Sequence, residues 1–443
     1  GATVRVRGGA AAALTDAAGK FDIKTAAGDV LEATFVGLKT AEHTVNAITG
    51  IVIRMLSEQS VLDEVVVVGY GVQKKKLVTG ANLNVSGEQI QKQNTVNPLQ
   101  ALQGQAAGVT ILSTSGQPGA GMKVNIRGLG TIGNSGPLYV IDGIPGGDIS
   151  ILNPADIQSV DVLKDAASAA IYGAQAANGV VLVTTRSGGR GRGQVSFDSY
   201  IGVQNAIRLA PMLNAQEYKT IMNEQALNSG AALIDFDGMS GLADTDWLAK
   251  MFVKNAATQN HSLNISGGSE TSSYAISFNR IDQEGVVGGK DISNYQRYGF
   301  RVNTEHKLYK EVLKVGQHLN FNYIRNNGIS VGNQYNNTLR GAFITSPLSP
   351  VFRDNNKYNS PYNDTSDSPW YNGDGNPYGQ MMTNSNNRND SQRLMADLYG
   401  ELQPIKNLRV KSVFGINYYA GEYRSFQPLY RFSVYSFNEN HTT

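Results

Sequence analysis

Apolar and polar residues in this chain follow three successive patterns. From residue 1 to 56, short runs such as TVRVRG, FDIKT and VLEATFVG are broken by a turn at Asp16 to Lys20 and another at Gly28-Asp29. Alternation such as Phe21, Ile23 and Thr25 predicts half-buried strands, and together these runs predict a small β-sandwich. From 77 to 187 the pattern is mixed. A capping signal at Ser86-Gly-Glu-Gln and a Pro98-led segment ending near Gly104 or Gly108 predict short helices. Asn153 with Pro154 predicts a further helix start, and DAASAAIYG (Asp165 to Gly173) a helix. VTIL, MKVNIRG, PLYVIDGIP, Ile157 to Leu163 and GVVLVTTR predict the strands between them; the third is expected to stop at Gly143 and Pro145.

Beyond a Gly-rich hinge at 188–193 the period becomes two and stays there. Val195, Phe197, Ile201 and Val203 alternate with polar neighbours; so do Tyr298, Phe300 and Val302, and Val315, Leu319, Phe321 and Tyr323. Residues 194–443 hold about seven such strands, joined by connections that run long, short, moderate, short, very long, short. Short turns on one rim and long loops on the other fit a transmembrane barrel. A soluble sandwich shows the same alternation, so both readings stand on pattern alone. In lipid the two open edges of a seven-strand sheet would leave backbone groups unpaired, so the sequence is expected to be a piece of a longer wall.

Between these regions lies LDEVVVVGYG, residues 62–71. Four β-branched residues, Val65, Val66, Val67 and Val68, require a strand partner, yet polar SEQS and basic QKKK flank them. Either the run is a buried strand of a neighbouring domain, or it is an extended segment that pairs with another protein's sheet edge. Asp63 and Glu64, after Leu62, would set register with a basic partner. Gly69, Gly71 and Lys74 to Lys76 are read as interrupters that discourage pairing and keep the segment soluble.

Composition narrows the chemistry. The 443 residues carry a net charge of +2, which argues against bulk nucleic-acid binding, and one RGRG copy without aromatics reads as a linker. There are no cysteines, so disulfides, thiolate zinc sites and thiol catalysis are excluded. No apolar run reaches the roughly 18 residues of a membrane helix, which says nothing of a barrel. The histidines at 43, 261, 306, 318 and 441 have no metal-ligand spacing, and Asp142 and Asp165 are not marked as an acid–base pair; no catalytic residue, metal or cofactor is expected. Gly128, Gly130 and Gly133 match GxGxxG, but Asn134 to Pro137 and a strand follow instead of the helix that phosphate binding requires.

ALQGQAAGV, NIRGLGTIG, PLYVIDGIP, NPADIQSVDVLKDAASAAIYG and AANGVVLVTT stand in the order of a plug domain, and QNHSLNISGGSETSSYAISFNRIDQEGVV is similar to an early barrel hairpin. On these motifs the chain resembles the SusC-like TonB-dependent outer-membrane transporters. The resemblance implies a mainly β fold. Residues 1–56 would be a carboxypeptidase-regulatory-like β-sandwich and 57–76 a TonB-box segment. An α+β plug domain would span 77–187, and 194–443 would begin a transmembrane antiparallel barrel of about 22 strands. It implies TonB bound at Leu62 to Gly69 and a SusD-like surface lipoprotein as lid. It also implies an outer-membrane location in a Gram-negative, Bacteroidetes-type cell, with the N-terminal domain and plug entrance facing the periplasm. The activity implied is import of oligosaccharides, or of peptides or metal chelates. A mainly signalling receptor is the alternative, and a soluble adhesin a third. The signal peptide, the first sandwich strand and most of the barrel are expected to lie outside this sequence.

Within the plug, Arg127, Gly128, Gly130, Asp142, Gly143, Tyr172 and Gly173 occupy motif positions. The glycines are expected at tight turns close to the barrel wall. Arg127 is either paired with a wall carboxylate or an ordinary surface arginine. On the long loop of residues 325–390, Trp370 and Tyr371 either stack on sugar rings or cover other loops, a lid or the membrane interface.

Overall fold

The computed structural model describes residues 2–9, 11–16, 19–35, 38–46, 50–55, 65–68, 71–74, 82–165, 169–189, 191–309, 312–332, 337–353, 362–365, 375–405 and 408–439. Leu62, Asp63, Glu64, Gly69, Trp370 and Tyr371 lie outside these residues. The chain divides into two compact units, Gly1–Thr79 and Gly80–Thr443.

In the first unit, β1 (Thr3–Val6), β2 (Ala12–Leu14), β3 (Val30–Phe35) and β4 (Leu38–Thr44) form an antiparallel sheet in the order β2-β1-β3-β4. Val4, Leu31, Ala33 and Val45 are its buried core, and Phe21, Ile23, Ile51, Ile53 and Met55 pack against it. The expected alternation at 21–25 is present in burial, but these residues and 51–55 join no hydrogen-bonded ladder. The second layer is therefore made of covering side chains, not a paired sheet.

The valine run is not slack. Val65–Val68 (β5) pairs antiparallel with Gly71–Lys74 (β6), Val65 opposite Lys74 and Val68 opposite Gly71. Gly71 and Lys74, expected to interrupt pairing, take part in it. A two-residue connection lets the chain reverse onto itself, which supplies the nearest strand partner available. Among the described residues this sheet has two strands only.

The second unit opens with β7 (Asn82–Ser86) and two short helices, α1 (Gly87–Gln91) and α2 (Pro98–Leu102). Ser86 and Gln89 form a capping box at the predicted helix start; α2 begins at Pro98 as predicted, is capped by Asn97, and ends at Leu102, short of Gly104. β8 (Val109–Ser113) pairs with β9 (Met122–Ile126). β10 (Leu138–Ile141), β11 (Ile144–Pro145), β12 (Ile157–Leu163) and β13 (Val180–Thr185) join β7 in a sheet ordered β11-β10-β13-β12-β7, with β10 and β13 parallel. The strand at PLYVIDGIP stops at the Asp142-Gly143 turn, as expected, and its short return ends at Pro145. Asp142 (φ 49°) and Gly143 (φ 91°) turn it back into a tight hairpin that pairs Ile141 with Ile144. Val85, Ile90, Leu102, Ile111, Ile149, Ile157, Val160 and Val181 are among the residues of one apolar core beneath this sheet. Of the helix expected over Asp165 to Gly173, residues 166–168 lie outside the described residues; Ala169 is α-helical, its amide donating to the Asp165 carbonyl at 3.1 Å, and the chain continues as a 3₁₀ segment, Ala170–Ala176, kinked at Gly173 (φ 67°).

Seven antiparallel strands follow in sequence order: β14 (Gly191–Gln204), β15 (Ala256–Gly268), β16 (Ser272–Glu284), β17 (Asn294–Leu308), β18 (Leu313–Asn327), β19 (Asn387–Ile405) and β20 (Leu408–Ser425). Their register aligns apolar side chains in rows across the whole sheet. One row runs Phe197, Leu263, Phe278, Phe300, Phe321, Leu394, Tyr418; another runs Val195, Ile265, Ile276, Val302, Leu319, Ala396, Ile416. The opposite face carries Ser262, Ser277, Asn279, Arg297, Arg301, Asn320 and Asn322, all buried. Apolar residues outside and polar residues inside invert the soluble pattern and match a lipid-facing wall with a filled interior.

The long connections hold structure that alternation does not reveal. Residues 205–255 contain α3 (Ala215–Asn228) and α4 (Trp247–Met251), and 328–386 contain α6 (Thr338–Ile344) and α7 (Pro377–Asn384). With the 285–293 connection, which carries α5 (Gly289–Ile292), they share a core of Trp247, Met251, Ile292, Ala342 and Met381. The Trp247 indole donates to the Ser346 carbonyl at 3.1 Å, tying two connections together.

Candidate functional site: the seam between core domain and wall

The polar face of the wall packs on the sheet-and-helix domain through hydrogen bonds. Asn153 accepts from the Ala155 amide at 2.9 Å, starting the short turn Pro154–Asp156. That turn points the Asp156 carboxylate at β17, where Arg301 Nη2 donates to it at 3.2 Å. Both groups are almost wholly buried, their side chains 1% and 3% exposed. Asn279 Nδ2 adds a third group at 3.4 Å. Burial of an ion pair costs desolvation that only full hydrogen bonding offsets, so these extra partners decide whether the pair is tolerable. Arg301 Nη1 also donates to the Arg186 carbonyl at 2.6 Å.

Four residues away on the same strand and face, Arg297 is fully buried and caps carbonyls instead of meeting a carboxylate. Its Nη1 donates to Ser150 O at 2.5 Å and its Nη2 to Leu152 O at 3.2 Å. Arg393 on β19 donates to Asp148 at 2.6 Å, and Asn417 on β20 donates to the Gly146 carbonyl at 2.9 Å. With Asn153 Nδ2 donating to Asn260 of β15 at 3.2 Å, the segment Gly146 to Asp156 is gripped by five strands of the wall. Burial, reinforced by Asp148, pushes the Tyr139 phenol well above its ordinary value, so it remains protonated beside this segment.

Asp142 belongs to the same seam. Its carboxylate accepts from both the amide and the hydroxyl of Thr185 at 2.8 Å, and that hydroxyl accepts from Asn303 of the wall at 2.7 Å. The hairpin turn is coupled to the wall through one threonine. Beside it, the side chain of Ile144 approaches Gly415 so closely that a Cβ there would stand 2.4 Å from Cδ1.

Arg127 departs from the wall-carboxylate expectation: its partner is Asp165 of its own domain, at 2.6 Å. The wall and core polarity is the reverse of that expectation, with arginines on the wall and acceptors on the core. Gly128 (φ 93°) does sit at a turn, but a Cβ at Gly130 would meet Asn178 at 3.4 Å, inside the same domain and not at the wall. Tyr172 and Gly173 lie in the kinked 3₁₀ segment. After Gly133 the chain continues to β10 without a helix, so the GxGxxG match lacks the helix N-terminus a phosphate needs. No group of three or more His, Asp or Glu able to hold a metal is found among the described residues. Sequence reasoning did not single out Arg297, Arg301, Arg393 or Asp156. The available signal was the arginine alternating with aromatics in NYQRYGFRVN, a charge on the face opposite the apolar one.

The seam is not wholly polar. Ile151 packs among Ile281, Tyr295 and Ile324 of the wall, and Met395 reaches the core of the inner domain. Even so, it is dominated by hydrogen bonds, most of them from guanidinium groups and each worth about 1.5–3 kcal/mol net, unlike the apolar core within the domain.

A domain wedged into a wall whose outer face is apolar is the arrangement of the TonB-dependent receptors. The model of the TonB-dependent receptor plug domain matches residues 74–180. The chain is 36% identical over 427 residues to TonB-dependent receptor P26 of Formosa agariphila, covering 94% of this chain and 41% of the relative. It is 31% identical over 373 residues to TonB-dependent receptor SusC of Bacteroides thetaiotaomicron, covering 81% and 35% respectively. Among solved structures it resembles the RagAB peptide importer in its open-open state, with a TM-score of 0.69 and 27% identity over 82% of this chain and 43% of that one. The chain belongs to the SusC-like TonB-dependent receptors. It spans about two fifths of the length of the curated relatives it matches.

Proposed function

We propose that this chain is the plug and the first part of the barrel of an outer-membrane importer, driven through TonB, whose cargo is an oligosaccharide or a similar oligomeric nutrient. Residues 1–56 form its regulatory-like domain, 57–76 its TonB-box segment, 77–187 its plug, and 188–193 the hinge to the wall. The observation that carries this reading is the buried, hydrogen-bonded seam around Arg301 and Asp156. It holds the plug in register until a pull releases it. No covalent step is needed.

Force enters at the valine hairpin. A two-stranded sheet standing alone is marginally stable, so β6 is a weak partner for Val65–Val68. A strand of TonB can add to the other edge or displace β6. A SusD-like surface lipoprotein is the lid, and the N-terminal unit faces the periplasm. Peptides are the second cargo class, favoured by the likeness to the RagAB peptide importer. The test is uptake by cells carrying Val66→Pro, with a TonB pull-down in parallel. Loss of both supports the reading, and unchanged uptake with unchanged capture refutes it. Growth of a deletion strain on a panel of glycans and peptides identifies the cargo.

A further inference from the structure

The inner face of the wall and the plug do not meet everywhere. Near the long connections they part around a cavity of about 270 Å³. The turn between β8 and β9 borders it. There Gly119 lies so close to the Tyr295 ring that a Cβ would stand 2.1 Å from Cδ2, and Gln117 Nε2 donates to the Ile329 carbonyl at 2.7 Å. α2 contributes Gln100 and, just beyond its end, Gln103. The wall contributes Arg297, with Gln204 and Gln283 bonded to each other at 3.4 Å.

Among the described residues that line the cavity, Arg297 alone carries a charge, and it is fully buried. Its two Nη atoms are engaged by the Ser150 and Leu152 carbonyls, while its Nε has no hydrogen-bond partner. The neighbouring wall arginines differ. Arg301 meets Asp156 and Arg393 meets Asp148, so a carboxylate balances each charge. The described residues give Arg297 carbonyl dipoles only, and a buried cation without a counter-charge is costly. An arriving anion lowers that cost and offers the Nε an acceptor.

We propose that this cavity takes one uronic acid unit of an acidic oligosaccharide, with the carboxylate toward Arg297 and the hydroxyls among the glutamines. The proposal rests on the reading of the chain as an importer of oligomers. Charge selects the carboxylate. The amides select the hydroxyls, because each carries donor and acceptor on one group, as a sugar hydroxyl does. An apolar unit would leave them unmatched. At about 270 Å³ the space falls just short of the roughly 300 Å³ at which small-molecule pockets begin, so it fits one unit and not a whole oligomer. Its place suits arriving cargo. Gln204 ends β14 where the 205–255 connection starts, and Gln283 and Tyr295 stand beside the 285–293 connection.

The experiment uses the full-length protein purified in detergent and saturation-transfer NMR, which reads weak binding of single sugars. Sodium glucuronate and glucose are the probes, with N-acetylglutamate and galactose 6-sulfate beside them. Glucuronate should bind about tenfold more tightly than glucose, and Arg297→Gln should bring the two to the same affinity. Because Arg297 also caps two carbonyls, a second variant is needed. Gln100→Leu with Gln103→Leu, both at exposed positions, should weaken glucuronate severalfold and leave thermal unfolding unchanged. Equal affinity for glucuronate and glucose, or undiminished glucuronate binding in the glutamine variant, overturns the site. N-acetylglutamate bound as well as glucuronate overturns the sugar assignment, and tighter binding of the sulfate overturns the carboxylate. Absent glucuronate binding beside TonB-dependent uptake rejects this site and leaves the importer reading intact. Unchanged uptake in Val66→Pro defeats that reading whatever glucuronate does.

Discussion

Arg301 on the wall and Asp156 on the plug meet at 3.2 Å with almost no exposure to solvent. Removing one member leaves the other charged and buried, at a cost of about 3–5 kcal/mol. Arg301→Gln should therefore loosen residues 146–156, read as faster amide hydrogen exchange there. Asp156→Asn added to Arg301→Gln should recover part of the loss. Protection unchanged in the single variant would show that the pair does not hold the plug.

Asp142 adopts a left-handed conformation and takes two bonds from Thr185. Asn tolerates that conformation and keeps one acceptor, whereas Ala offers neither. Thermal unfolding in detergent should rank wild type above Asp142→Asn, and that above Asp142→Ala, with the last lower by about 1–3 kcal/mol. Equal midpoints for Asn and Ala would remove the carboxylate from the account.

Gly87 opens α1 where a Cβ would stand 1.9 Å from the Ile157 carbonyl oxygen. That neighbour is backbone within a strand and cannot swing away. Gly87→Ala should destabilise the plug by about 1–3 kcal/mol, visible as earlier proteolysis between 82 and 187 with the wall intact. A plug as resistant as wild type would contradict the close packing of α1 on β12.

Phe300 lies in the middle of an apolar row that crosses all seven strands. Phe300→Lys should cost about 2–4 kcal/mol of membrane stability, measured as reversible unfolding from lipid vesicles. Ser277→Ala, on the opposite face, should change little. Equal sensitivity of the two faces would oppose a lipid-facing exterior.

Much of this architecture was legible in the chain. Seven alternating segments became seven strands, because period two in residues such as Val315, Leu319 and Phe321 is a property of the pleat itself. The helix starts at Ser86, Pro98 and Asn153 were readable from local signals too. The seam was not: Arg301 and Asp156 are separated by 145 residues, and nothing local tells a buried arginine from a solvated one. The helix Ala215–Asn228 carries a local signal, Asn214 three residues before Glu217, that the period-two pattern on either side of it obscures. The valine hairpin was misjudged because glycine and lysine were weighed as interrupters, when a two-residue reversal makes the nearest sequence the easiest partner.

Locking the plug to the wall tests import by seam release most directly. These 443 residues hold no cysteine, and Ile144→Cys with Gly415→Cys places two thiols where the Ile144 side chain already reaches the Gly415 Cβ position. Uptake should cease when that pair is oxidised and return when it is reduced, with single-cysteine controls unaffected. Undiminished uptake by fully oxidised protein would mean that cargo passes while the plug stays fastened to this wall, and the account would fail.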